Sequence, residues 1–139
     1  MTQINPYIGF AGKCKEAMTF YKDCIGGELE LQTVGGSPME EHCPAAMKDS
    51  ILHSSLVKDK LVLFGTDMTG SGGITKGNNV SLCLSCSSEE EINVFYNKLS
   101  EGGEIFDPLK MQFFGAMMGM FKDKFGIPWM VYFDKNQNK

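Results

Sequence analysis

No stretch of this 139-residue chain gathers lysine or arginine into a basic cluster, and the formal net charge is −4. That balance argues against nucleic acid and anionic membrane as partners, because both are held mainly by positive charge. No apolar run approaches the roughly 18 residues that span a bilayer. The opening MTQINPYIGF lacks the charged start and long apolar stretch of a secretory signal, so a cytoplasmic location is expected. The cysteines do not pair off either: there are five, Cys14, Cys24, Cys43, Cys83 and Cys86, spread over expected helices and strands. An odd, scattered set suits a reducing compartment, where a buried thiol acts as a small hydrophobe. Cys83 and Cys86 have the spacing of a redox or zinc pair, but they sit in a period-2 pattern. In a strand, residues three apart face opposite sides, so a structural role is expected for both.

What the chain does contain is a repeat of itself. Residues 20–28 read FYKDCIGGE and residues 95–104 read FYNKLSEGGE, with the aromatic pairs 75 residues apart and the Gly-Gly pairs 76. Each copy reads as the end of an amphipathic helix that stops at two glycines and passes into a strand. Hydrophobic residues make up 42% of the chain, enough for a core in one domain of this length or in two tightly joined halves.

Taken in order, residues 4–10 (INPYIGF) predict a strand, with Pro6 near its start where a missing N–H is tolerated. Ala11-Gly12 predicts a turn. From 13 to 25, Cys14, Ala17, Met18, Tyr21, Cys24 and Ile25 recur at helical spacing and form one buried stripe. Gly26 and Gly27 end that helix, because its C-terminus favours a left-handed residue. Residues 28–34 (ELELQTV) alternate as a half-buried strand. Residues 35–50 form a long loop with two prolines, of a length that commonly borders a site. Residues 51–57 and 60–67 predict a hairpin around Lys58-Asp59. Residues 68–79, with four glycines, predict the join between halves. The Gly-Ser-Gly-Gly within it is followed by a strand rather than a helix, which disfavours a phosphate loop.

The second half repeats the plan. Residues 80–86 predict a strand, and Ser88-x-x-Glu91 is a capping box ahead of Ile92, Phe95, Tyr96 and Leu99. Gly102-Gly103 ends the helix. Residues 104–115, 116–123 and 129–134 predict three strands, with 125–128 as the last turn and 135–139 a polar tail. Met111, Phe113, Phe114, Met117, Met118, Met120 and Phe121 crowd this half, as core or as the wall of an apolar pocket. The expected domain is α+β: two tandem βαβββ modules, one over 1–67 and one over 79–134, joined by a linker at 68–78. Each sheet buries its helix on one face, and the other faces form a curved, mixed-sheet cleft.

INPYIGF, the helix ending FYKDCIGGELE, the loop Cys43-Pro44-Ala45-Ala46-Met47, the strand carrying His53, and DKFGIPWMV at 123–131 together resemble the PhnB-like proteins of the vicinal oxygen chelate superfamily. That superfamily includes glyoxalase I, extradiol dioxygenases, and fosfomycin- and bleomycin-resistance proteins. The resemblance covers essentially the whole chain and implies a glyoxalase-like fold and a homodimer. It also implies metal-ligand positions, which fall here on Asn5, on Leu63 or Phe64, on Asn79 and on Met130. None is His, Glu or Asp, whereas Zn²⁺ or Fe²⁺ takes about three or four such donors. No cofactor is therefore expected.

His53 is the candidate replacement, as a general base or a single ligand for a divalent metal, with Ile51 and Ser55 as its alternation partners and His42, Glu40, Glu41 and Cys43 in the long loop. Asp67 and Asp123 are expected to cap turns. The PhnB-like group has also been labelled as similar to a demethylubiquinone methyltransferase domain. A class I S-adenosylmethionine enzyme, however, needs a glycine-rich strand-to-helix loop in a larger parallel sheet. The expected function is binding of a small, partly apolar molecule, with Tyr7, His53, Phe64, Asn79, Phe113 and Met130 as candidate ligand contacts. The alternative is a metal-dependent lyase, isomerase or dioxygenase centred on His53; a third reading is a purely structural or interaction role.

Overall fold

The computed structural model describes residues 2–69 and 73–135. The chain divides into two compact units, Met1–Thr75 and Lys76–Lys139, and the division falls within the segment read above as the linker. Part of the Gly-Ser-Gly-Gly stretch and most of the polar tail lie outside the described residues.

The first unit contains β1 (Tyr7–Gly9), α1 (Cys14–Ile25), β2 (Glu28–Thr33), β3 (Ile51–Lys58) and β4 (Leu61–Thr66). Its sheet has the order β1-β4-β3-β2, with β1 parallel to β4 and the other pairs antiparallel. The buried residues of α1 are Cys14, Ala17, Met18, Tyr21, Cys24 and Ile25, the stripe expected from spacing. Against them lie Ile51, Ser54, Leu56 and Leu63 of the sheet, all buried. A fully buried aliphatic or aromatic side chain contributes about 1.5–3 kcal/mol, so this one face supplies most of the unit's cohesion. Contact is close at Gly65, where an added Cβ would stand 2.9 Å from the Met18 sulfur and 3.1 Å from Ser54 Oγ.

The start of α1 has no cap of its own, since Lys13 offers no side-chain acceptor. Asp67, 53 residues further on, fills that role. Its Oδ1 accepts from the Gly12 and Cys14 backbone N–H groups at 2.8 and 2.9 Å, and its Oδ2 accepts from Ile51 N–H at 2.8 Å. Asp123 does the same for the last turn: Oδ1 accepts from Phe125 and Ile127 N–H, and Oδ2 from Trp129 Nε1 at 2.7 Å. Both carboxylates thus cap turns, as their positions suggested.

The second unit contains β5 (Leu82–Ser85), α2 (Glu89–Ser100), β6 (Glu104–Met111), β7 (Ala116–Lys122) and β8 (Pro128–Asp134). Its order, β5-β8-β7-β6, and its parallel β5/β8 pair reproduce the first sheet. Ser88 caps α2 by accepting from Glu91 N–H at 3.1 Å. The returning Glu91 carboxylate takes the Ser87 N–H rather than that of Ser88, so the box is offset by one residue.

Several boundaries differ from the sequence reading. The first strand begins at Tyr7 rather than residue 4, because Pro6 has no N–H to donate, although its carbonyl still accepts from Phe64 N–H at 3.0 Å. The strand at 104–115 stops at Met111, where Gln112 and Gly115 close a turn. The long loop at 35–50 contains two short 3-10 turns, Glu40–His42 and Ala45–Met47.

Candidate functional site

Each sheet has one face covered by its helix, and the candidate residues are sorted by which face they occupy. In the first unit the register settles this. Tyr7 pairs with Phe64, Phe64 with Ser55, and Ser55 with Glu30, so a single row crosses all four strands. Leu63 and Gly65, on either side of Phe64, face α1, which leaves the Phe64 row on the helix-free face. Of the two alternatives Leu63 and Phe64, Leu63 is buried under the helix and Phe64 is half-buried on the open face.

His53 reaches this face through an irregularity. Strict alternation would place it with Ile51, but Gln32 pairs with His53 while Thr33 pairs with Ile51, so Leu52 is an extra residue in β3. The bulge turns Ile51 inward beside Ser54 and Leu56 and leaves His53 on the other face, exposed like Val57, with Ser55 half-buried between them. The expected partnership of His53 with Ile51 is therefore corrected, and that with Ser55 stands. The imidazole lies 5.3 Å from the Phe64 ring, centroid to centroid, at an interplanar angle of 46°. Tyr7, 62% exposed, continues the aromatic patch at the β1 edge.

Glu28, Glu30 and Gln32 of β2 flank the same face through their pairings with Val57, Ser55 and His53. Alternation in ELELQT already put these three on one side; what the sequence did not supply was the pairing that brings them beside His53. Among the described strands of this sheet the one lysine, Lys58, alternates onto the helix side and donates to Ile25 O at 2.8 Å. The open face thus combines two aromatic rings, an imidazole, a hydroxyl, an amide and carboxylates, with no lysine from the described strands. Such a surface can stack a flat apolar group and hydrogen-bond its edge.

The remaining candidates are dispersed. Asn5 precedes β1 and is half-buried. Met130 lies on the helix-free face of the second sheet, because Trp129 and Val131 on either side are buried. Asn79 is exposed ahead of β5, and Phe113 is 99% exposed at the tip of the β6–β7 hairpin, edge-on to Phe114 at 5.2 Å. His42 is exposed on its 3-10 turn, and Glu40 is occupied in accepting from Gly36 N–H at 2.7 Å. Cys83 is exposed and Cys86 buried, donating to Leu84 O at 3.6 Å, so the two thiols face apart.

Among the described residues, no three His, Cys, Asp or Glu side chains come together as a metal-holding group. The residue in register with His53 is Gln32, an amide, and the nearest carboxylate on the face, Glu30, is in register with Ser55; one imidazole and one carboxylate fall short of the three or four such donors of the divalent-metal sites implied by the resemblance.

Comparison with known proteins places the chain. Residues 2–132 match the family model described as 3-demethylubiquinone-9 3-methyltransferase. Protein YjdN of Escherichia coli (strain K12) is 27% identical, over 96% of this chain and 97% of its own. The crystal structure of protein PA1353 from Pseudomonas aeruginosa superposes with a TM-score of 0.84 at 36% identity, covering 96% of this chain and 98% of that one. A PhnB protein from Bacillus cereus matches with a TM-score of 0.74 at 24% identity, covering 95% and 99%. A glyoxalase/bleomycin resistance protein from Albidiferax ferrireducens T118, at 12% identity and a TM-score of 0.64 over 95% and 98%, shares the fold. The chain therefore belongs to the family described as 3-demethylubiquinone-9 3-methyltransferase, and it has the glyoxalase-like α+β fold.

Proposed function

We propose that this protein binds a small, partly apolar molecule on the open face of its first sheet, with Tyr7, Phe64 and His53 as the stacking platform. The observation that carries the reading is the bulge at Leu52, which places an imidazole 5.3 Å from Phe64 on the side the helix leaves free. A sheet face with no ligand to meet would more usually carry polar residues alone. Glu28 and Glu30, with no lysine on the face, favour a neutral or cationic ligand over an anion.

The family's descriptive name is a methyltransferase, but the two sheets are four-stranded and mixed. A cofactor cradle of the doubly wound parallel kind, at a helix N-terminus after a glycine-rich turn, has no counterpart in either. The reading therefore predicts no binding of S-adenosylmethionine. It also retains a homodimer and a cytoplasmic location, supported by the resemblance and by five cysteines none of which is in a disulfide.

The test is calorimetry against neutral, cationic and anionic aryl compounds, with S-adenosylmethionine included, for the wild type and for Phe64→Ala and His53→Ala. Loss of one aromatic partner removes about 0.5–1.5 kcal/mol beyond area burial, so the Kd of any hit should rise by roughly tenfold in Phe64→Ala. Hits unaffected by both substitutions, or tighter binding of anions, would refute the proposal.

A further inference from the structure

The open face of the second sheet has a different chemistry, and it is independent of the reading above. Its register places Cys83 of β5 opposite Met130 of β8, and Met130 opposite Met120 of β7. Residues in direct register on neighbouring strands have Cβ atoms about 4.5–5.5 Å apart on the same side. One thiol and two thioethers therefore form a continuous line across three strands. Met118 lies one step along the sheet, opposite Tyr132, which itself pairs with Ser85.

Cys83 is exposed, and Met118, Met120 and Met130 are half-buried, whereas the alternate residues Leu84, Val131 and Phe121 are buried. These four side chains are thus at least partly exposed and do not belong to the buried core. Hard donors near them are already engaged: Tyr132 donates to Asp134 Oδ2 at 3.3 Å, and Asp107, opposite Met120, pairs with Lys110 at 3.8 Å.

Thiolate and thioether are soft ligands suited to monovalent copper rather than to calcium or magnesium, and although thiolate also holds zinc, zinc takes about four thiolate, imidazole or carboxylate donors, which a lone thiol with two neutral thioethers does not supply. Methionine, with three rotatable bonds, can swing its sulfur toward a common point without backbone movement. We propose that Cys83, Met120 and Met130 form a three-sulfur site for Cu(I). On binding, the Cys83 S–H bond breaks, its proton passes to solvent, and the thiolate sulfur coordinates the ion. The thiolate balances the metal's single charge, and no electron is transferred.

The test is anaerobic competition for Cu(I) held in a chromophoric chelator, with reductant present, on the full chain. The wild type should take one equivalent. Cys83→Ser should weaken binding at least 100-fold, and Met120→Leu and Met130→Leu about tenfold each, while Cys43→Ser should leave it unchanged. Leucine keeps the size and apolarity of methionine and removes only the donor, and these positions lie outside the core, so folding can be checked by circular dichroism and preserved. Failure of the wild type to compete would overturn the site, as would full binding by Cys83→Ser. Leucine variants that bind as the wild type would equally overturn it, showing attachment to a thiol alone.

Discussion

Replacing Asp67 by alanine should be among the most damaging single changes in the first unit. The carboxylate accepts three backbone N–H groups from two distant segments, the start of α1 and the start of β3. Gly12 is exposed, so water can replace its lost partner; Cys14 and Ile51 are 0% and 1% exposed and have no such access. Each buried donor left unsatisfied costs about 1–3 kcal/mol, so two give about 4 kcal/mol, a large part of the roughly 5–15 kcal/mol that holds a domain of this kind together. Asp67→Asn is the informative intermediate. Its remaining oxygen can serve Gly12 and Cys14, but the amide nitrogen then faces the Ile51 N–H, donor against donor. It should therefore lose about half as much. Urea unfolding followed by far-ultraviolet circular dichroism, at constant m, should rank wild type above Asp67→Asn above Asp67→Ala. A loss below about 1 kcal/mol in the alanine variant would show that water satisfies these donors and would refute the argument.

Two further outcomes follow from the same core. Gly65→Ala puts a Cβ within 2.9 Å of the Met18 sulfur and 3.0 Å of the Phe10 ring, so overpacking should cost about 1–3 kcal/mol in the same urea assay, and an unchanged midpoint would mean that α1 yields freely. Alkaline stability should also decline: burial pushes the Cys14 thiol up to about 11 and Cys86 to about 12, from 9.0. The unfolded chain then releases these protons first, so the stabilisation is whole below pH 9 and is lost as pH rises from 9 towards 11 and 12. The slope is on the order of 1 kcal/mol per pH unit for each thiol. Melts between pH 8 and pH 10.5 should show a shallower decline in Cys14→Ala than in the wild type, and equal slopes would contradict the assignment.

What could be read in advance was local. The α1 stripe follows from spacing alone, the glycine pair after it from the left-handed turn it requires, with φ of 91° and 99° at Gly26 and Gly27, and the Ser88 cap from one side chain and the next turn. The facing of His53 was not local. It depends on β2 pairing one residue short of β3, and nothing within ILHSSLVK marks Leu52 as the surplus. Phe113 likewise falls within the strand expected over 104–115, yet the Gln112–Ala116 hydrogen bond closes the hairpin around it and leaves its ring in solvent. Asp67 showed itself as a turn carboxylate, but its second service to Ile51 could be seen only once β3 and β4 were paired.

The two units make clear which part of the repeat is constrained. On their helix-covered faces both follow one rule, apolar residues meeting an amphipathic helix: Leu56 and Leu63 in one, Val131 and Phe121 in the other. Their open faces differ chemically: the first joins aromatic rings and carboxylates to an imidazole, whereas the second sets a thiol and thioethers beside Tyr132 and Asp107. A side chain on the open side spends little of its surface in the core, so exchanging it changes stability by only a few tenths of a kcal/mol, whereas the same exchange beneath the helix leaves a cavity costing about 2–5 kcal/mol. A duplicated module can therefore diverge on the open side while its fold persists. The same asymmetry makes substitutions at Tyr7, His53, Phe64, Cys83, Met120 and Met130 tests of binding rather than of folding, because none of these side chains is among the buried residues that hold either unit together.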